Sequence, residues 1–363
     1  MDTKQKKMST SSGEDMGTLT WPADELETVE RCPVCGSTER IVLYHDLTDR
    51  IFFCAPGKWN LYRCSQCGCA YYNPRPAVQT ISLAYRTYYT HSSPTPEKTS
   101  QPSLLSTICS SLSRGYCNWR FGTNFPSSCV LGVPLMFLFV RKRREVDRSF
   151  RCLPRLPCHA HVLDLGFGDA GFLLRVKEGW TVSGADLDPV VVAAARDNGL
   201  TDVREGGLEA FADRKSYYDA ITLAQVIEHV HEPRTTLEMA YSMLKPGGIL
   251  WIDTPNLNGP GHERFGRHWR GLEPPRHLVL FHRQALINLA AEVGFTGFED
   301  LPFSADIGYR FRASTAVERG VHFVDEPDVL SEADRVLVAR AEARAKTDPN
   351  ARDSINIMCR RPG

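Results

Sequence analysis

The chain has no excess of charge of either sign: 43 basic side chains balance 43 acidic ones over 363 residues. Nucleic-acid binders normally carry a basic excess, so this balance argues against one while leaving room for a local basic patch. Long apolar runs are also missing. The longest reaches only from Val130 to Val140 and contains Gly132 and Pro134, short of the roughly 18 residues a spanning helix needs. Lysines near the N-terminus are not followed by an apolar segment, so that region reads as a solvated tail and not as a signal peptide, and a cytoplasmic location is expected. What is present, 42% apolar and 24% charged residues, is the composition of a soluble globular protein long enough for about two domains.

In a reducing compartment the 12 cysteines are not expected to form disulfides, so their clustering matters. Cys32 and Cys35 lie in RCPVCG, and Cys64 and Cys67 in RCSQCG. Each Cys-x-x-Cys-Gly is a knuckle whose glycine lets the backbone fold back and point two thiolates at one ion. Two knuckles make a four-thiolate site, and the alternating apolar and aromatic residues between them suit the strands of a zinc ribbon. Four protein ligands leave no open position, so such a zinc is structural. A redox pair would instead be one motif inside a βαβ unit; Cys54 and Cys69 read as spare thiols.

From His91 to about Ser111 the chain is rich in Ser, Thr and Pro, the composition of a linker. It leads into LGVPLMFLFV and a basic stretch from Arg141 to Arg155. Two readings fit this segment: a lid helix pair over an active site, or a surface that touches a membrane or a lipid-linked substrate.

From His161 a strand, glycine turn and helix recur. HVLDL ends in a turn through Gly166, Gly168 and Gly171; TVSGAD ends on Asp186; PVVVAAARDNG starts on proline and stops on glycine. Further strands are expected in YYDAITLAQV, GGILWIDTP, GFTGFEDLPF and SINIMCRR. This rhythm builds a doubly wound, Rossmann-like α/β sheet. Asp186 ends the second strand, where a carboxylate accepts ribose hydroxyls.

Together with EGGLEAF, AQVIEHV and LKPGG, these segments resemble the class I S-adenosylmethionine-dependent methyltransferases, in particular small-molecule enzymes that carry an N-terminal zinc module. The resemblance implies a seven-stranded sheet with the last strand inserted antiparallel. It also implies cofactor contacts from Asp164, Gly166 and Gly168 to the methionine and ribose, Asp186 to the ribose hydroxyls and Leu187 to the adenine. Gly207 and Leu208 would lie at the adenine edge and Gln225 near the methionine end. Ala170 stands where that family usually has a third glycine, which puts the shape of the turn in question.

Methyl transfer to a hydroxyl or carbon acid needs a base, and histidine titrates near neutrality. His277 in LEPPRHLVLF is the first candidate, His229 with Glu228 in VIEHVHEP the second; Arg276, Trp269 and Glu273 are candidates to grip a polar acceptor. Ala224, Gln225 and Val226 stand where amino-directed nucleic-acid enzymes carry an Asn/Asp-Pro-Pro-aromatic motif, which argues against a base as acceptor. The expectation is therefore a methyltransferase acting on oxygen or carbon of a small molecule such as a sugar, lipid-linked saccharide or natural-product intermediate. The alternatives are an RNA-directed methyltransferase and a non-catalytic RNA or partner binder. The expected organisation is a disordered tail (1–28), a zinc ribbon (29–90), a linker with an apolar and basic lid (91–155) and a cofactor-binding domain (156–363).

Overall fold

A computed structural model describes residues 20–85, 103–321 and 330–363. The tail expected over 1–19 and the linker expected over 91–102 lie outside the described residues.

The N-terminal module holds β1 (Leu26–Glu27), β2 (Arg40–Leu47), β3 (Trp59–Cys64), β4 (Ala70–Tyr72) and β5 (Arg75–Pro76). It begins before residue 29. Trp21 is buried with its ring edge-on to Trp59 at 5.4 Å, and β1 pairs antiparallel with β5, so residues 20–28 pack instead of forming tail. Strands β2, β3 and β4 form an antiparallel meander.

Helices α1 (Leu104–Phe121), α2 (Gly132–Leu138) and α3 (Val140–Ser149) follow. The Ser103 hydroxyl caps α1 by accepting the Ser106 N–H at 3.2 Å. The segment expected as a lid packs on the main sheet. Tyr116, Phe121 and Phe150 join Trp180, Trp251 and Met358 in one buried cluster against the main sheet. Phe121 and Phe150 stack at 4.5 Å, and Trp180 meets Phe150 edge-on at 5.6 Å. Each ring so buried stabilises the fold by roughly 1.5–3 kcal/mol, which fixes these helices to the main-sheet domain. The boundary expected at residue 156 therefore falls inside one packed unit.

The main sheet contains β6 (His161–Leu165), β7 (Thr181–Asp186), β8 (Val203–Glu205), β9 (Tyr218–Ala224) and β10 (Leu244–Pro255). After the short β11 (Val279–Leu280) come β12 (Thr296–Asp300) and β13 (Ser354–Arg360). The order is β12-β13-β10-β9-β6-β7-β8, with β13 antiparallel to both neighbours and the remaining ladders parallel. The seven strands expected, and the inverted last one, are present. Crossovers are made by α4 (Gly171–Val176), α5 (Pro189–Asp197) and α6 (Pro233–Met243). Then come α7 (Pro260–Phe265), α8 (Arg283–Val293), α9 (Ile307–Arg319) and α10 (Glu332–Ala345). Leu163, Leu165, Ile221 and Leu223 face α6 and α8, while Val162, Ala220 and Trp251 face the α1–α3 side. This alternation is the strand period, with both faces apolar because both are covered.

β11 leaves the main domain and pairs with β4, completing a four-stranded sheet of order β11-β4-β3-β2. The two modules thus share backbone hydrogen bonds at the carboxyl end of the main sheet, where α/β folds bind ligands.

Candidate active site

β6 runs into a turn through Gly166 (φ +65°), Gly168 (φ +54°) and Ala170 (φ +58°). A Cβ at Gly166 would come within 2.6 Å of the Val226 methyl, whereas one at Gly168 would meet nothing within 4 Å, so Gly168 is the open rim of the cradle. Ala170 holds the left-handed conformation that a glycine adopts freely, so the turn keeps its shape and carries strain. At the end of β7 one Asp186 oxygen accepts the Gly168 N–H and the other the Asp188 N–H, each at 3.0 Å. These bonds aim the carboxylate across the crevice while burial pushes its pKa up. Leu187 beside it is 71% exposed, as a rim residue is, and Leu208 is buried behind Gly207, whose N–H donates to Glu209 at 2.6 Å. Gln225, at φ +54° after β9, donates its amide to Asp253 at 3.0 Å.

Sequence reasoning missed Arg151. Its guanidinium grips both Asp164 oxygens, at 2.5 and 2.9 Å, and lies over the Phe172 ring at 3.9 Å. Asp164 also accepts the Thr222 hydroxyl at 2.9 Å. Within the basic run 141–155 no local pattern sets Arg151 apart; its role comes from packing.

The acceptor-side candidates converge. His229 and His277 meet edge-on at 4.6 Å. The His277 Nδ1 donates to the Gly271 carbonyl at 2.7 Å, and its Nε2 lies 3.4 Å from Glu273. Its ring is 4% exposed, and burial pushes its pKa down to about 3. The His229 Nδ1 donates to the Arg276 carbonyl at 2.9 Å, with the Tyr85 hydroxyl 3.0 Å from the same nitrogen. A carbonyl only accepts, so neutral His229 carries its proton on Nδ1 and a lone pair on Nε2. His229 is partly exposed, and among the described residues no hydrogen bond engages its Nε2. Burial lowers its pKa too, keeping it in the base form. Of the two rings, His229 presents the nitrogen that no hydrogen bond engages among the described residues, and His277 packs against it.

Glu228 is fully buried; one oxygen accepts the Thr254 hydroxyl at 2.8 Å and the other has no hydrogen-bond partner among the described residues. Burial pushes its pKa up to about 8. Donor atoms of Glu228, His229 and His277 all lie within 4.8 Å of one another, a compact acid–base cluster whose donor set also suits a divalent cation.

The residues expected to grip the acceptor face inward instead. Arg276 is fully buried, held by both Asp49 oxygens at 2.8 and 2.9 Å and by Glu273 at 3.0 Å; Trp269 and Glu273 are buried beside it. Arg270 also pairs with Glu273.

Cys32, Cys35, Cys64 and Cys67 come together with sulfurs all within 4.8 Å, including separations of 3.6 and 3.5 Å. Tetrahedral zinc with Zn–S near 2.3 Å places sulfurs roughly 3.8 Å apart, so the donor set fits. The knuckles are copies of each other: Gly36 and Gly68 both have φ +75° and donate to the carbonyls of Cys32 and Cys64 at 2.9 and 3.0 Å. Cys54 lies against Arg276 instead, at 3.3 Å. His282, next to β11, reaches the Cys67 carbonyl at 2.8 Å, so the catalytic domain also props one knuckle.

The strand order and the glycine cradle define the class I, Rossmann-like methyltransferase fold. Residues 137–299 match the family model described as a methyltransferase domain. That match covers 163 of the 363 residues, so the likeness to methyltransferases is one of this segment and of the fold. It is 36% identical over 105 residues to a ubiquinone biosynthesis O-methyltransferase of Pectobacterium atrosepticum, covering 27% of this chain and 43% of that one. The counterpart of Xanthomonas axonopodis pv. citri is 35% identical over 108 residues, covering 28% and 45%. The match thus spans less than half the length of these curated relatives. Similar solved structures include an S-adenosylmethionine-dependent methyltransferase of Archaeoglobus fulgidus (17% identity, TM-score 0.40, 62% of this chain and 93% of that one). Another, from Mesorhizobium loti, has 16% identity and TM-score 0.40, covering 60% and 97%.

Proposed function

We propose that the protein is an enzyme that transfers a methyl group from S-adenosylmethionine to an oxygen of a small molecule. The observation that carries this reading is the glycine cradle with the Asp186 carboxylate at the next strand end, held by the Gly168 and Asp188 N–H groups where it suits ribose hydroxyls; the Arg151–Asp164 pair braces the floor of that cradle. Gly166, Gly168, Leu187, Gly207, Leu208 and Gln225 line the remaining contacts. When bound, the cofactor supplies an electrophilic methyl on a sulfonium.

His229 Nε2 accepts the proton from the acceptor hydroxyl as the oxygen–methyl bond forms. The Arg276 carbonyl fixes its tautomer, His277 fixes its plane, and neutral Glu228 keeps the cluster from gathering negative charge. Oxygen is favoured over carbon because the curated relatives are named O-methyltransferases. Calorimetric titration of the full chain tests the reading: micromolar-range binding of S-adenosylmethionine or S-adenosylhomocysteine is expected, and binding of neither overturns it.

The four cysteines hold a structural zinc in this reading. Metal analysis of protein purified without chelator is expected to find one zinc per chain, and Cys32→Ser to lose it and destabilise the ribbon. The enzyme is placed in the cytoplasm, where free thiols persist; among the described residues no helix is long and apolar enough to cross a membrane.

A further inference from the structure

The α1–α2 pair buries one side against the main sheet and leaves the other bare. Leu104, Leu105 and Ile108 on the first two turns of α1 are 84%, 76% and 56% exposed. The Cys129 N–H donates to the Ser111 carbonyl at 2.9 Å, which sets Val130 (81% exposed) and Leu131 beside that part of α1. At the far end of α2, Leu138 (76% exposed) and Phe139 protrude as well. A globular surface seldom presents so many bulky aliphatic side chains together without a partner.

The charge beside them is one-sided. Helix α3 carries Arg141, Lys142, Arg143, Arg144 and Arg148 against Glu145 and Asp147. Lys142 pairs with Glu145 at 2.9 Å, and Asp147 is taken up by the Tyr116 hydroxyl at 2.8 Å. Arg141, Arg144 and Arg148 are exposed and in no ion pair among the described residues, and the Arg143 guanidinium lies over the Phe137 ring at 4.7 Å. Phe137 of α2 carries the Arg143 guanidinium on its ring, so the apolar end of α2 at Leu138 and Phe139 runs directly into the cationic helix.

We propose that this surface docks the protein on an anionic lipid bilayer. The aliphatic side chains enter the boundary between headgroups and acyl chains while the arginines remain at the phosphates. Self-association through the same face would bring two basic helices to one interface, which like-charge repulsion disfavours. Helix α3 ends close to Arg151, so one element joins the docked face to the cofactor crevice.

Flotation of the full-length protein with vesicles tests this. Binding is expected to vesicles of phosphatidylcholine mixed with phosphatidylglycerol, to be weaker with phosphatidylcholine alone and to fall with salt. The pair Leu104→Asp/Leu138→Asp and the pair Arg141→Glu/Arg144→Glu are each expected to lower partitioning by about tenfold or more. Both pairs lie on exposed surface outside the cofactor and acid–base clusters, so thermal midpoint and cofactor titration are expected to stay as in the parent. Failure of cofactor binding in the parent therefore bears only on the proposed enzyme activity. Absence of flotation with anionic vesicles, binding that survives either pair of substitutions, or a hydrodynamic mass that drops in the Leu pair, marking a contact between copies, each overturns the proposal.

Discussion

Asp49 in the ribbon and Arg276 in the catalytic domain form a bidentate ion pair in which neither side chain is exposed to water. Four backbone N–H groups, of Ile51, Phe52, Cys54 and Ala55, also converge on Asp49. Burial by itself pushes the Asp49 pKa up; Arg276 and these donors overcome that and hold it below the ordinary carboxylate value. Because the Arg276 carbonyl also sets the tautomer of His229, the ribbon braces the proposed base.

Removing one partner strands the other charge. Asp49→Ala is expected to cost about 3–5 kcal/mol of stability, while Asp49→Leu combined with Arg276→Met costs less than the single change. Denaturant unfolding of the three proteins checks the order; equal losses would mean that the pair is not coupled.

His229→Gln is expected to lower turnover by about two orders of magnitude with cofactor affinity unchanged. Since burial depresses the His229 pKa, the acid limb of kcat/KM should fall below pH 6.5, the ordinary imidazole value. Turnover of the variant at the parent rate would return the role to His277 or to another group.

Glu228 is neutral when folded up to about pH 8 and ionised when unfolded above about pH 4.5. Its contribution to stability is thus fully present below pH 4.5 and is lost as pH rises towards 8. Glu228→Gln, which still accepts the Thr254 hydroxyl, removes that loss. Its stability relative to the parent should rise between pH 5 and pH 8, by on the order of a few kcal/mol. Parallel pH–stability curves for the two proteins would show that the carboxyl is not held neutral.

Ala170→Gly relieves a left-handed alanine at the price of a more flexible unfolded chain. A net gain near 1 kcal/mol is expected, seen as a higher Tm. A lower Tm would mean that the Ala170 methyl, which is buried, packs for more than the strain it carries.

The strands ending at Leu165 and Asp186, the helix that opens on Pro189 and the two cysteine knuckles were all legible because each depends on residues within a few positions of one another. For the apolar and basic segment, an apolar block followed by a cationic one shows that a surface is amphipathic but not which body it packs on, and Phe121 and Phe150 went to the sheet face.

By itself, the sequence determined the doubly wound domain, the glycine cradle, Asp186 and the thiolate set, since hydrophobic period, turn chemistry and ligand spacing are local properties of the chain. Tertiary structure alone decided that Arg151 meets Asp164, that β11 completes the ribbon sheet, and which of two neighbouring histidines keeps an open nitrogen. Asp49 and Arg276 stand 227 positions apart, and no periodicity reaches that far. Their pairing follows from how the two modules close on each other, where burial and the need to satisfy each buried charge select the partner.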